Sequence, residues 1–241
     1  MKKVAAYLFL PALIGVLLFV YGFSIKRNGN KIIKKIEVEF AAGTNSFLTH
    51  ESVNKLLIQN NETVKNKPKS VLDLYGLENN VLANPFVEKA TVFVTPDGLL
   101  KTHIKQREPI ARIVNIKDNF YVDKLGGVMP LSENFSARVP LVSGVNSSEN
   151  VTEITKLATV IAEDTFLRKE IVGIHKTPNN EYIFNVRSSD FVIEFGSFTD
   201  IVVKIKKLKA FYNKALVDNT INDYKKINVK YHNQVVCTKQ Q

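Results

Sequence analysis

Four histidines and a single cysteine are the residues of this chain with the widest catalytic and metal-binding repertoire. His50, His103, His175 and His232 stand apart, none with a second ligand at metal-site spacing, so a zinc centre is not expected. A cysteine acts as a nucleophile when a neighbouring base takes its proton. The base nearest to Cys237 is His232, five residues away, and strand residues five apart face opposite ways. Cys237 therefore reads as a small apolar strand residue. No serine occupies a nucleophile elbow, and Gly126-Gly127 lies between strand-like residues and a proline, as a turn would rather than a phosphate cradle. Asn61, Asn134, Asn146 and Asn150 each open an N-x-S/T triplet, a pattern expected by chance in an asparagine-rich chain. The residues imply no catalysis, no cofactor, no metal and no small-molecule substrate. With one cysteine, an internal disulfide is impossible and packing must hold the fold.

Where chemistry is absent, placement and surface carry function. Val4 to Ile25 is an uncharged run bracketed by Lys2-Lys3 and Lys26-Arg27. About 20 apolar residues suffice to span a bilayer, so Val4, Leu8, Leu13, Leu17, Phe19 and Ile25 read as a retained anchor. A cleaved signal peptide would have a shorter apolar core of about 7 to 15 residues. A buried core helix would be apolar on one stripe rather than all round. Flanking charge leaves orientation open. More cations follow the run than precede it, but the counting rule weakens where a long domain follows.

The remaining chain is of soluble composition, with 45% hydrophobic and 23% charged residues overall. The net charge of +10 is uneven: residues 204–241 hold nine lysines against Asp218 and Asp223. Those lysines interleave with apolar residues at helix and strand spacings. They read as a solvated face, or one matching acidic lipid or an acidic partner, rather than a nucleic-acid site.

Residues 26–34 form a basic linker. Ile36, Val38 and Phe40 alternate with Glu37 and Glu39 as in a half-buried strand. After a turn at 43–46, Thr49 caps a short helix carrying Val53, Leu56 and Leu57, and 60–69 is polar loop. Ser70 with Asp73 has capping-box spacing before a helix bearing Leu74, Leu77, Val81 and Leu82, which Asn84-Pro85 stops. Val87 to Thr95, the turn Pro96-Asp97-Gly98 and the alternating Leu100, Thr102 and Ile104 make a hairpin. The order β-α-α-β-β is that of a small two-layer α+β unit. Beyond Glu108-Pro109, strands are expected near 110–114, 120–122, 171–176, 182–186 and 191–195, with a helix over 151–166. A lysine-rich helix follows Gly196, burying Ile201, Ile205, Leu208, Phe211 and Tyr212 while Lys204, Lys206, Lys207 and Lys209 stay in water. Strands over 226–231 and 234–238 close a mixed sheet with helices on it. The last of these has no following element to cover it, so it is expected at a sheet edge with backbone groups open to an added strand.

These residues resemble a known family. The anchored β-α-α-β-β unit, with Leu77-Glu78 and Asn84-Pro85-Phe86-Val87 before its hairpin, resembles a POTRA domain. Gln106-Arg107-Glu108-Pro109-Ile110-Ala111-Arg112 is similar to the exit from that domain in the bacterial cell-division protein family FtsQ (DivIB). Phe120-Tyr121-Val122-Asp123, Gly126 and FSARVPLVSG at 135–144 resemble the start of that family's β domain. YKKINVKYHNQVVCTK at 224–239 is similar to FtsQ proteins of the Bacteroidetes group. The resemblance spans nearly the whole chain and is carried by the order and spacing of its parts.

It implies a single-pass inner-membrane protein with a cytoplasmic tail at 1–3, a transmembrane helix at 4–25, a linker at 26–34, a POTRA domain at 35–109 and a β domain at 110–241. Both domains would be periplasmic, at the division septum. It further implies a non-enzymatic divisome scaffold that binds FtsB- and FtsL-like proteins and other divisome components, the former by strand addition. Carried over, the contact strand is Gln234, Val235, Val236, Cys237 and Thr238, with Tyr231 before it and Lys207 and Phe211 on the neighbouring helix. A tail of at most three residues departs from the family pattern and puts cytoplasmic recruitment contacts in doubt. Two other readings stand beside it. A POTRA-containing envelope assembly factor would need a barrel of at least about eight strands. A secreted binding protein would need cleavage after Ser24.

Overall fold

The computed structural model of the chain describes residues 2–43, 47–59, 62–116, 118–145 and 151–240, with the side chains of 2–8, 59 and 62 left out of the description. The N-x-S/T triplets at Asn61, Asn146 and Asn150, and 44–46 of the expected turn, lie outside the described residues. Two compact units result, Met1–Arg107 and Glu108–Gln241.

The first unit opens with α1, Lys2–Gly29. Within it Phe9–Gly29 is long and apolar enough to cross a membrane, and Leu13, Leu17, Phe19 and Ile25 are all exposed. An exposed apolar surface on every side suits lipid rather than water. Val4 and Leu8 lie in the same helix, outside the described side chains. Pro11 is accommodated within it.

After α1 come β1 (Lys35–Phe40), α2 (His50–Leu56), β2 (Ile58–Gln59), β3 (Glu62–Thr63), α3 (Leu74–Leu82), β4 (Val87–Val94) and β5 (Leu99–Gln106). Their three-stranded sheet runs β1-β5-β4, with β1 parallel to β5 and β4 antiparallel to it. The core joins Val38, Val53, Leu57, Leu77, Val81, Val87, Leu100 and Ile104. Thr49 and Ser52 form a reciprocal capping box at the start of α2. Glu78 on α3 accepts the Val92 N–H at 2.9 Å, tying that helix to β4.

Three expectations need correction here. The basic segment 26–34 is no free linker. α1 runs through Lys26 and Arg27 to Gly29, and Ile33 is fully buried. Ile33 N–H donates to the Lys67 carbonyl, Asn66 N–H to Ile33 and Lys69 N–H to Lys31, at 2.8–2.9 Å. Lys34 N–H reaches the carbonyl of Gly98, whose φ of +90° and 2.7 Å Cβ clearance from Ile32 O explain glycine in that turn. Nor is 60–69 a bare loop, since β2 pairs with β3 and Val64 is buried. Finally, Ser70 sits in a 3-10 turn (Lys69–Val71), and Asp73 alone caps α3 through Gly76 N–H at 2.9 Å.

The second unit contains β6 (Pro109–Val114), β7 (Asn119–Asp123), β8 (Val128–Pro130), β9 (Leu141–Ser143), α4 (Thr152–Glu163), α5 (Thr165–Glu170), β10 (Ile171–Lys176), β11 (Tyr182–Val186), β12 (Val192–Gly196), α6 (Ile201–Val217), β13 (Tyr224–Asn228) and β14 (Val236–Lys239). Among the described residues the strands form one nine-stranded mixed sheet, in the order β14-β13-β12-β11-β10-β9-β6-β7-β8. The helices share its core, which includes Leu157, Ile161, Leu167, Tyr182, Phe184, Phe195, Leu208, Tyr212 and Ile227.

The helix expected over 151–166 is two helices. Asp164 is extended, and its carboxylate accepts the Phe166 and Leu167 N–H groups at 3.0 Å, ending α4 and capping α5. A 2.6 Å bond from Lys209 of α6 holds the Asp164 carboxyl below the usual carboxylate range. On α6, Lys204 is not in water but 5% exposed, and Lys207 and Lys209 are half-buried; Lys206 is exposed as expected. Lys204 Nζ donates to the Ser197 carbonyl at 2.7 Å and lies 5.1 Å from the Phe195 ring centroid. Burial lowers its pKa. The last two strands also shift, to 224–228 and 236–239.

Candidate interaction site at the sheet edge

β14 is the end strand of the large sheet and pairs antiparallel with β13, with Asn228 opposite Val236, Ile227 opposite Cys237 and Lys226 opposite Thr238. The ladder's phase follows from the neighbouring bonds. Val229 N–H donates to Glu194 on β12 at 3.1 Å, so alternation turns Asn228 toward β14 and makes Asn228–Val236 a hydrogen-bonded pair. Gln240 N–H donates to the Asp223 carbonyl at 2.8 Å, in phase with inward groups at Val236 and Thr238. The N–H and C=O groups of Cys237 and Lys239 then point out of the sheet, where a further strand would pair.

Side chains alternate independently of that phase. Cys237 is half-buried against the core, as is Val235 just before the strand, whereas Val236 and Thr238 are exposed. Burial raises the Cys237 pKa, which disfavours the thiolate that any nucleophilic role needs. Its supposed strand neighbour His232 lies in the bend between β13 and β14, so the opposite-face argument does not apply to that pair.

The sequence-predicted residues divide accordingly. Val236, Cys237 and Thr238 lie on β14; Gln234 and Val235 precede it in the connection. Tyr231 is 52% exposed in the same connection. Lys207 and Phe211 do not share the open edge but support it from α6. Lys207 Nζ donates to the Val229 carbonyl at 3.1 Å and also to the Tyr231 carbonyl, fixing the path of the connection. The Phe211 ring packs 5.4 Å from Tyr224 on β13. Asn228 and Lys226 both reach Glu194, at 2.7 and 2.8 Å, and the Lys226 bond keeps that carboxyl below its ordinary range.

Sequence reasoning missed the cleft beside this connection. Glu181, Ser197, Lys204, Lys207, Lys230 and His232 line it, and Lys230 pairs with Glu181 at 2.9 Å. These residues come from distant segments, so no local spacing could have grouped them. Among the described residues no three His, Cys, Asp or Glu side chains converge as metal ligands.

Comparison with known proteins adds two matches. The family model described as FtsQ/DivIB, C-terminal related, matches residues 108–238, more than half the chain. A model described as a POTRA-like domain matches residues 31–105. No curated protein matches the chain.

Proposed function

The chain belongs to the FtsQ/DivIB family, and on that premise we propose that it is a non-enzymatic scaffold of the bacterial divisome, anchored in the inner membrane by α1. Both units would stand on the periplasmic side at the septum, with the POTRA-like unit contributing to recruitment. FtsB- and FtsL-like proteins would bind at β14, one of them adding a strand there. The observation carrying this reading is the open end of the large sheet: β14 pairs on one side only and leaves the Cys237 and Lys239 backbone groups outward. Lys225, Lys226 and Lys239 make that end basic, a surface suited to an acidic segment. The sheet has two ends, β14 and β8, which favours a scaffold over the closed barrel of an envelope assembly factor.

The test is co-purification of the full chain from membranes with its FtsB- and FtsL-like proteins. Deleting 234–241 should abolish recovery of both while α1 still holds the chain in washed membranes. Undiminished recovery would remove β14 as the contact.

A further inference from the structure

The fold gathers cations around the end of α1 that the sequence keeps apart. Lys26 and Arg27 lie in the last turn of the helix, and Lys31 follows two residues after its end. Lys65, Lys67 and Lys69 are more than thirty residues further on, yet the backbone bonds among 31–33 and 66–69 lay that loop alongside them. Gly29 is close enough that a Cβ there would sit 3.5 Å from the Ser70 Cβ. Segments 26–33 and 64–69 contain these six cations and no acidic residue. The nearby turn acid, Asp97, is held below the usual carboxylate range chiefly by a hydrogen bond from Thr95, with the charges of Lys34 and Lys101 adding to it. Two exposed apolar residues, Ile32 (51%) and Val71 (58%), stand among the lysines.

If α1 spans a bilayer, this face meets the headgroup layer, because only Asn30 separates the helix end from Lys31 and its bonds to the 66–69 loop. Cations attract anionic headgroups within about one Debye length, ~8 Å at physiological salt, and apolar side chains set among them enter the interface. We propose that the 65–69 loop, with Lys26, Arg27 and Lys31, is a second membrane contact that binds anionic phospholipid headgroups. It would fix the POTRA-like unit against the bilayer instead of leaving it on a swivel. The proposal rests on reading α1 as the anchor, and its charge complementarity selects anionic over zwitterionic lipid.

The test uses the full chain carrying Cys237→Ser and Ser70→Cys, labelled with a donor dye at residue 70 and reconstituted in vesicles. Energy transfer is compared for headgroup-labelled phosphatidylglycerol and headgroup-labelled phosphatidylcholine. One lysine near an anionic surface shifts lipid occupancy about fivefold, so transfer to phosphatidylglycerol should exceed the other by about threefold or more. Lys65→Glu, Lys67→Glu and Lys69→Glu together should bring the two to parity, as should about 0.5 M salt, by screening. Hydrogen exchange on β4 and β5 reports whether the triple variant stays folded; Lys65→Glu alone should lower the ratio by a smaller step. Equal transfer in chain that resists carbonate washing overturns the proposal alone. Chain that washes off overturns the anchor reading and the proposal with it.

Discussion

The three-stranded and the nine-stranded sheets end differently. In the small sheet both end strands carry charge that is tied to the middle strand: Glu39 on β1 meets Lys101 at 2.8 Å and His103 at 3.2 Å, and Glu88 on β4 meets Lys105 at 2.7 Å. Charged, cross-tied end strands discourage accidental pairing. At the β14 end of the large sheet the strand is four residues long; Val236, Cys237 and Thr238 are uncharged, and its one charge, Lys239, is the last residue. Its nearest ion pair, Lys226 with Glu194, lies one strand further in. β14 is thus held by backbone pairing and by the half-buried side chains of Val235 and Cys237. An edge guarded by charge and an edge held so lightly are different devices, and the second suits exchange with a partner.

The contrast can be broken most decisively in the cores. Phe184→Ala removes a ring stacked 4.8 Å from Phe195 and should cost the second unit about 3–5 kcal/mol. Hydrogen exchange should then collapse on β10–β12 while β4 and β5 stay protected; loss of both would mean the units do not fold separately. The next effect falls on binding rather than folding. Lys239→Pro removes an outward backbone donor and should lower partner recovery at least about tenfold with little change in melting temperature. Val236→Pro removes an inward donor, so it should also loosen β14 itself. Equal behaviour of the two prolines would refute the assigned ladder phase.

Lys207→Ala strips two carbonyls of the connection of their donor and should cost about 1 kcal/mol in urea unfolding. Partner binding should weaken through a looser approach to β14. The smallest effect is pH-dependent. The Asp164 carboxyl is held below its ordinary range by Lys209 and by the α5 cap, so the native state binds that proton less readily than the unfolded chain. Its contribution is complete above the unfolded value, about 4, and disappears as pH falls through the lower native value. Unfolding scans between about pH 5 and pH 2 should show this increment in the native chain and not in Asp164→Asn.

Much of the fold was legible in local chemistry. The hairpin of β4 and β5 followed from Pro96-Asp97-Gly98 between alternating segments, and α3 stopped where Asn84-Pro85 required. Other expectations failed where a distant partner outweighed the local pattern. Periodicity over 151–166 reads as one helix, but Asp164 gains two N–H bonds and an ion pair to α6 by leaving the helical conformation. Lys204 occupies a position that looks solvent-facing, yet the Ser197 carbonyl and the Phe195 ring meet it there. The strand around Val236 was foreseen, whereas its phase was not, because that depends on Val229 bonding across to β12.

The sequence by itself determined the apolar run of α1, the β-α-α-β-β order, and a final strand around the uncharged run Val236-Cys237-Thr238, since these rest on hydrophobic periodicity, turn residues and caps within a few residues of one another. Only the tertiary structure decided that the Cys237 and Lys239 backbone groups turn outward from the edge that β14 forms. It alone tied Lys207 to the carbonyls of the connection before β14 and brought Lys65, Lys67 and Lys69 beside the end of α1. Each of these depends on hydrogen bonds between segments far apart in the chain, and no local pattern specifies such pairings.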